Sequence, residues 1–148
     1  MPKINKMDNI MKLITLIISL LLISNLVNAE TIQIEFTEND TYSLEIAKIN
    51  VGDTIEWLPK NRGHNVEFLA GPDMNALPPK SKLNSLHSVI FELPGVYLYQ
   101  CTPHGNMGML GLVVVENDFH NLQNLNEIKL SRVATSVLKR LTKKALEN

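Results

Sequence analysis

From residue 31 onward, apolar and polar residues alternate with a period of two. Ile32, Ile34 and Phe36 are interleaved with Gln33, Glu35 and Thr37, and Tyr42, Leu44 and Ile46 repeat the pattern. Successive side chains of a strand point to opposite faces, so such runs predict half-buried β-strands. Val51-Gly52-Asp53 reads as a turn into the strand Thr54–Leu58, which Pro59 stops. Asn61-Arg62-Gly63 reads as a second turn, and Val66, Phe68 and Leu69 are expected inside. Pro72, Pro78 and Pro79 mark residues 71–82 as a long loop. Strands are then predicted over His87–Leu93, closed by Pro94-Gly95, over Val96–Cys101 and over Leu110–Glu116. Short strands at this spacing predict an antiparallel sandwich or barrel, and Trp57 is assigned to its core.

Two of these strands are apolar on both faces. In Val96–Cys101, Tyr97 and Tyr99 share parity with Cys101, which leaves Val96 and Leu98 apolar on the other side. Leu112-Val113-Val114-Val115 has no polar face at all. A sheet with one face in water shows polar residues there, so something must cover it. The tail supplies the cover. Asn117-Asp118 reads as a cap pair, Leu122, Leu125 and Ile128 fit a short helix, and Leu130, Val133, Ala134, Val137, Leu138, Leu141 and Ala145 recur at helical spacing. Arg132, Lys139, Arg140, Lys143 and Lys144 line the opposite face. That basic face is expected to be the solvated back of an intramolecular lid, with an anionic membrane surface as the alternative.

The 148 residues suffice for one domain. The N-terminus is set apart from it. Lys3, Lys6 and Lys12 precede the apolar run Leu13 to Ile23, and Val27-Asn28-Ala29 follows, the layout of a secretory signal peptide. Cleavage after Ala29 is expected. The alternative, an uncleaved anchor, is disfavoured because a spanning helix needs about 20 apolar residues. The expected division is residues 1–29 as signal and 30–148 as one domain, with a β-sandwich over 30–116 and a helical tail over 117–148. Met7 and Met11 are alternative starts. Removing Lys3, Lys6, Lys12 and Asp8 leaves 11 basic and 14 acidic residues, a formal net charge of −3. That balance argues against nucleic-acid binding, which needs a basic footprint.

The candidate chemistry lies in Cys101-Thr102-Pro103-His104-Gly105-Asn106-Met107-Gly108-Met109 and, upstream, in Gly63-His64-Asn65-Val66-Glu67. Cys101 is the only cysteine, so no intramolecular disulfide can form, and in an exported protein it is a free thiol or a ligand. One thiolate, two imidazoles and a weak thioether make the trigonal site of blue-copper proteins. His64, Cys101, His104 and Met109 are therefore the candidate ligands of one copper ion. His87 and His120 have no partner at ligand spacing. No Ser/His/Asp set, phosphate loop or carboxylate pair stands out. With all four positions filled by protein there is no open site for substrate, which argues against an enzyme.

At Gly63–Glu67 and Cys101–His104 the chain resembles the cupredoxins, and among them the pseudoazurins. The Cys-x-x-His-x-x-x-x-Met spacing is shared with plastocyanins, whereas Cys-Thr-Pro-His, the Met-Gly-Met at 107–109 and two C-terminal helices favour pseudoazurins. The resemblance spans residues 30–148. It implies a mainly β, Greek-key sandwich of about eight strands with two C-terminal helices packed on one sheet and copper at one end. It matches His64, Cys101, His104 and Met109 to the four ligands and Asn65 to an asparagine that ties the ligand loops together. Met107 is the alternative axial residue, since amicyanins use a shorter Cys-x-x-His-x-x-Met loop. Pseudoazurins typically carry a lysine before the cysteine, where this chain has Gln100. Lys60, Arg62, Lys80 and Lys82 are candidates to replace it around an apolar docking patch of Pro103, Gly105 and Met107. The implied function is a monomeric periplasmic carrier that shuttles one electron to a partner such as a copper nitrite reductase, a c-type cytochrome or a peroxidase. The rival expectation is a copper carrier or storage protein without redox turnover.

Overall fold

A computed structural model describes residues 11–12 and 28–147. The apolar run Leu13 to Ile23 lies outside these residues, whereas Ala29, after which cleavage is expected, lies within them. No helix among them is long and apolar enough to cross a membrane.

The element order is β1 (Thr31–Glu35), β2 (Ile46–Ile49), β3 (Thr54–Leu58), β4 (Glu67–Ala70), β5 (His87–Ile90), β6 (Gly95–Gln100), a 3-10 turn (Gly105–Met107), β7 (Leu110–Val115), α1 (Leu122–Leu125) and α2 (Arg132–Glu147). One sheet runs β1-β3-β5 and the other β2-β7-β6-β4. The expected sandwich is present. It has seven strands among the described residues, in keeping with the expected number of about eight. Two features differ from the sequence reading. The alternation at Tyr42, Leu44 and Ile46 yields only an isolated bridge, Phe36 to Tyr42, before β2 begins. The sheets are also mixed, since β1 pairs with β3 and β2 with β7 in parallel. The reason is topological. β2 leaves for the second sheet, so β3 returns beside β1 running the same way.

The doubly apolar strands resolve into two separate cores. Tyr97, Tyr99, Cys101 and Val113 join Ile34, Phe36, Ile55, Trp57 and Phe68 between the sheets. Val96, Leu98, Leu112 and Val114 face outward and are covered by Leu125 of α1 and by Ala134, Leu138, Leu141 and Ala145 of α2. These four α2 positions recur at steps of four, three and four, one stripe of the helix. Each fully buried leucine stabilises by about 1.5–3 kcal/mol relative to exposure, so the helix stays on the sheet despite its charged back. Arg140 clamps it further through a bidentate pair with Glu45, at 2.9 and 2.7 Å.

Two helical expectations need correction. Val133, placed on the apolar stripe, is 54% exposed and sits at the rim, over Gly108. Asn117-Asp118 does not cap a helix: Glu116 and Asn117 adopt left-handed φ of 59° and 50°, turning the chain out of β7. The cap of α2 is Ser131, whose Oγ accepts the Ala134 N–H (3.0 Å) and donates to the Asn106 carbonyl (2.6 Å). Buried Asn121, just before α1, bridges both the N–H and the carbonyl of Val96, each at 2.8 Å.

Candidate metal centre

Strand pairing gathers the candidate ligands. β4 runs antiparallel to β6 with Glu67 opposite Gln100, and β6 antiparallel to β7 with Gln100 opposite Leu110. The residues just before β4, just after β6 and just before β7 therefore meet at one end of the sandwich. Those positions hold His64, Cys101–His104 and Met109.

The backbone then aims the side chains. Gly63 takes a φ of 92°, which a residue with a Cβ rarely adopts, and its N–H donates to Asn84 Oδ1 at 2.6 Å. His64 is held from the other side by its carbonyl, which accepts the Asn84 N–H at 2.9 Å, while its ring packs 5.7 Å from Phe36. The ligand loop is wound on Cys101. Its carbonyl accepts the N–H groups of His104 (3.2 Å) and Gly105 (2.6 Å), and its own N–H donates to the Met109 carbonyl at 3.1 Å. The Met109 N–H closes the loop on the His104 carbonyl at 3.2 Å, with Gly108 at a φ of 100° between.

Three donors converge as a result. The Nδ1 atoms of His64 and His104 are 3.1 Å apart, and Cys101 Sγ is 3.7 Å from each. A point equidistant from the corners of that triangle lies about 2.0 Å from each, the length of a metal–imidazole bond. Among the described residues, these three form a group whose donor atoms all lie within 4.8 Å of one another. Soft sulfur with two imidazoles is the donor set that suits copper in both oxidation states, so the residues fit the ion that their pattern predicts. Met109 is 2% exposed and shares the inter-sheet core with Cys101, whereas Met107 is 61% exposed on the 3-10 turn.

The electrostatics favour a metal over a free thiolate. Burial pushes the Cys101 thiol up, and hydrogen bonds from the backbone N–H groups of Asn65 and His104 only partly oppose this. Burial, then the neighbouring His104, lowers the His64 imidazole, with Asp40 acting the other way. A neutral imidazole keeps its lone pair for a ligand, and a bound cation supplies the charge that ionises the thiol.

Behind the donors, Asn65 ties the two loops as expected. Its Oδ1 accepts the Thr102 N–H at 2.8 Å, and its Nδ2 donates to Thr102 Oγ1 at 3.0 Å and to the Ser81 carbonyl at 3.4 Å. The Thr102 hydroxyl donates a hydrogen bond to Glu67 Oε2 at 2.9 Å, and Glu67 also accepts from Gln100 Nε2 (3.0 Å) and Lys80 Nζ (3.2 Å). Burial raises the Glu67 carboxyl, but these three donors outweigh it and hold the group below the usual range. Sequence reading missed this role. Glu67 stood in the quoted motif, but only strand pairing brings it opposite Gln100. Asp40 was missed too: its Oδ1 lies 3.6 Å from His64 Nε2 and 3.6 Å from His104 Nδ1. Nothing in the local sequence marks it.

The proposed docking features are only partly where the sequence suggested. Gly105 is buried beneath the Gln100 side chain, so it cannot belong to an exposed patch. Pro103 and Met107 are exposed, and Pro103 borders a depression of about 200 Å³ with Asn65, Lys80, Ser81, Leu83 and Thr102. Lys60 pairs with Glu35 and Lys80 with Glu67, which reduces the positive charge they offer. Gln100, the departure from the usual lysine, is occupied by Glu67. His87 packs 5.7 Å from Trp57, and His120 pairs with Asp118 at 2.9 Å.

Comparison with known proteins agrees with this geometry. A relative from Rhizobium leguminosarum bv. viciae is 42% identical over 95 residues, covering 64% of this chain and 60% of its own. A pseudoazurin of Methylorubrum extorquens is 36% identical over 90 residues, 60% of each chain. The chain thus spans about 60% of the length of these curated relatives. The crystal structure of pseudoazurin from Methylobacterium extorquens AM1 superposes with a TM-score of 0.70 at 26% identity, over 77% of this chain and 98% of that one. The family model for copper binding proteins of the plastocyanin/azurin family matches residues 26–116, the whole sandwich with both ligand segments, and the chain belongs to that family.

Proposed function

We propose that this chain is a one-electron carrier whose copper ion is held by His64, Cys101 and His104, with Met109 as the weak axial ligand. The observation that carries the reading is the donor triangle of 3.1, 3.7 and 3.7 Å, with His64 and Cys101 buried and His104 partly exposed. Copper, when bound there, supplies a couple between Cu(II) and Cu(I). The residues do the rest. Cys101 and His64 are 0% and 2% exposed and keep solvent from the ion. Asn65, Thr102 and Glu67 hold both loops in one arrangement, so little reorganises when the charge changes. The His104 side chain, 22% exposed, is the edge through which an electron enters and leaves. The burial of Met109 and the exposure of Met107 support the axial assignment.

In this reading the chain is exported to the periplasm after loss of residues 1–29, acts as a monomer, and docks transiently at the His104 end. Its partner is a respiratory or denitrification reductase such as copper nitrite reductase, a c-type cytochrome or a peroxidase. It is not an enzyme, because four protein ligands leave no position for substrate. The test is the oxidised protein's visible spectrum, followed by stopped-flow electron exchange with a c-type cytochrome. An intense thiolate-to-Cu(II) band is expected, lost in Cys101→Ser with the sandwich still folded. A colourless Cu(II) complex of the native chain would refute the assignment.

A further inference from the structure

Asp40 is a carboxylate held beside both histidines, and its position is built from two sides. It sits at a φ of 54° in the turn between β1 and β2. The turn is closed by the Thr37 N–H on the Thr41 carbonyl (2.9 Å), by the paired hydroxyls of Thr37 and Thr41 (2.7 Å), and by the Asn39 and Thr41 N–H groups on Thr37 Oγ1. On its N-terminal side, Phe36 packs against the His64 ring at 5.7 Å. On its C-terminal side, the Tyr42 hydroxyl donates to the carbonyl of Asn65, at 3.1 Å. Both flanks of the turn are thus fixed to the His64 segment, and the carboxylate between them has little freedom to leave.

At 3.6 Å from His64 Nε2 and from His104 Nδ1, Asp40 Oδ1 is too far for a hydrogen bond but close for a charge. Lys60 and Lys80 make their ion pairs with Glu35 and Glu67, so neither neutralises it. We propose that Asp40 is the charge-setting residue of the copper centre: its carboxylate, fixed beside the two imidazoles, favours Cu(II) over Cu(I) and lowers the reduction potential. The proposal rests on the copper reading above. It assigns Asp40 no bond to the ion and no part in proton transfer. It acts through the field at the histidines, as a positioned charge.

The size follows from Coulomb's law. One elementary charge acting over about 5 Å changes the preference between the two oxidation states roughly fourfold in bulk water and about fifteenfold at half that dielectric. The Asp40 side chain is 50% exposed, so the site lies between these limits. About tenfold is expected, which for one electron is about 59 mV.

The test compares native holoprotein with Asp40→Asn, Asp40→Ser and Asp40→Glu by three measurements. These are the midpoint potential, the affinities of the copper-free chain for Cu(II) and Cu(I) by chelator competition, and the visible band. The neutral variants should keep the band, lose about tenfold in Cu(II) affinity with Cu(I) affinity unchanged, and have a higher potential. Asp40→Glu should recover most of the native value. Less than a twofold change in the neutral variants would overturn the proposal, as would equal losses for both ions, which mark a purely structural role. A shift in Asp40→Glu as large as in Asp40→Asn would also overturn it, since charge could not be the cause. Absence of the band from the native protein would instead remove the copper reading itself, and the Asp40 role with it.

Discussion

Replacing Asn65 by alanine cuts a side chain that hydrogen-bonds directly from the His64 segment to the Cys101 loop through both its amide atoms. Two well-formed bonds are lost, the Thr102 N–H on Oδ1 at 2.8 Å and Nδ2 on Thr102 Oγ1 at 3.0 Å; the third, to the Ser81 carbonyl, is long at 3.4 Å. Each good bond contributes about 0.5–1.5 kcal/mol net, and a donor left without its partner adds about 1–3 kcal/mol when water cannot reach it. Thr102 is exposed, so water replaces part of the lost bonding and the lower end of that penalty applies. The copper-free protein should therefore lose about 2–3 kcal/mol. For a domain of this size that is a fall of roughly 10 °C in Tm. Urea unfolding at constant m measures it. A double-mutant cycle with Thr102→Ala should return a coupling of about 1 kcal/mol, because the two side chains share one bond. A loss below about 0.5 kcal/mol, or no coupling with Thr102, would show that the two ligand loops do not depend on this tie.

Met109→Leu should keep copper but change the reduction potential, since the axial ligand tunes the site more than it holds the ion, whereas Met107→Leu should leave the spectrum nearly unaltered; the opposite pattern would make Met107 the axial ligand. Leu141→Ala removes a fully buried side chain from the seam between α2 and the outer sheet face, and should cost about 2–5 kcal/mol in urea unfolding, with the spread set by how far the cavity collapses. Because Glu67 titrates below its unfolded value, its contribution is complete above the unfolded pKa and disappears as pH falls through the folded one. Glu67→Gln should therefore be less stable than the native chain near pH 7, and the gap in urea midpoint should close in acid; a constant gap from pH 7 to pH 3 would show that the carboxylate charge is not what Thr102, Gln100 and Lys80 stabilise.

The periodicities carried most of the architecture. Alternation at Ile32, Ile34 and Phe36 and the double apolarity of Val96–Leu98 and Leu112–Val115 were enough to require a sandwich with a covered outer face. The stripe Ala134, Leu138, Leu141 and Ala145 was enough to name the cover. They are legible because burial on one face is a local rule, repeated every second or every third to fourth residue. The ligand types were legible for a different reason: the chemistry of a thiolate, two imidazoles and a thioether is intrinsic to the residues, and three of the four lie within nine positions.

What the local pattern could not carry is anything decided by which strand lies beside which. Parallel pairing of β1 with β3 follows from the chain changing sheets at β2, and no residue in either strand encodes it. Val133 fits the helical stripe yet is exposed, because it lies beside Gly108 of the ligand loop and outside the outer-face cluster that Ala134 joins. Glu67 meets Thr102 and Gln100 only through the register of β4 on β6. Asp40 is 24 positions from His64 and 64 from His104 and comes to 3.6 Å from both, because Phe36 and Tyr42 pin its turn to the histidine segment. Composition and spacing determined the class of fold, the lid and the donor set, since each depends on properties a residue has alone or with near neighbours. The charge beside the donors and the network behind them were decided by tertiary structure, since electrostatic and hydrogen-bond energies depend on distances through space that separation along the chain does not specify.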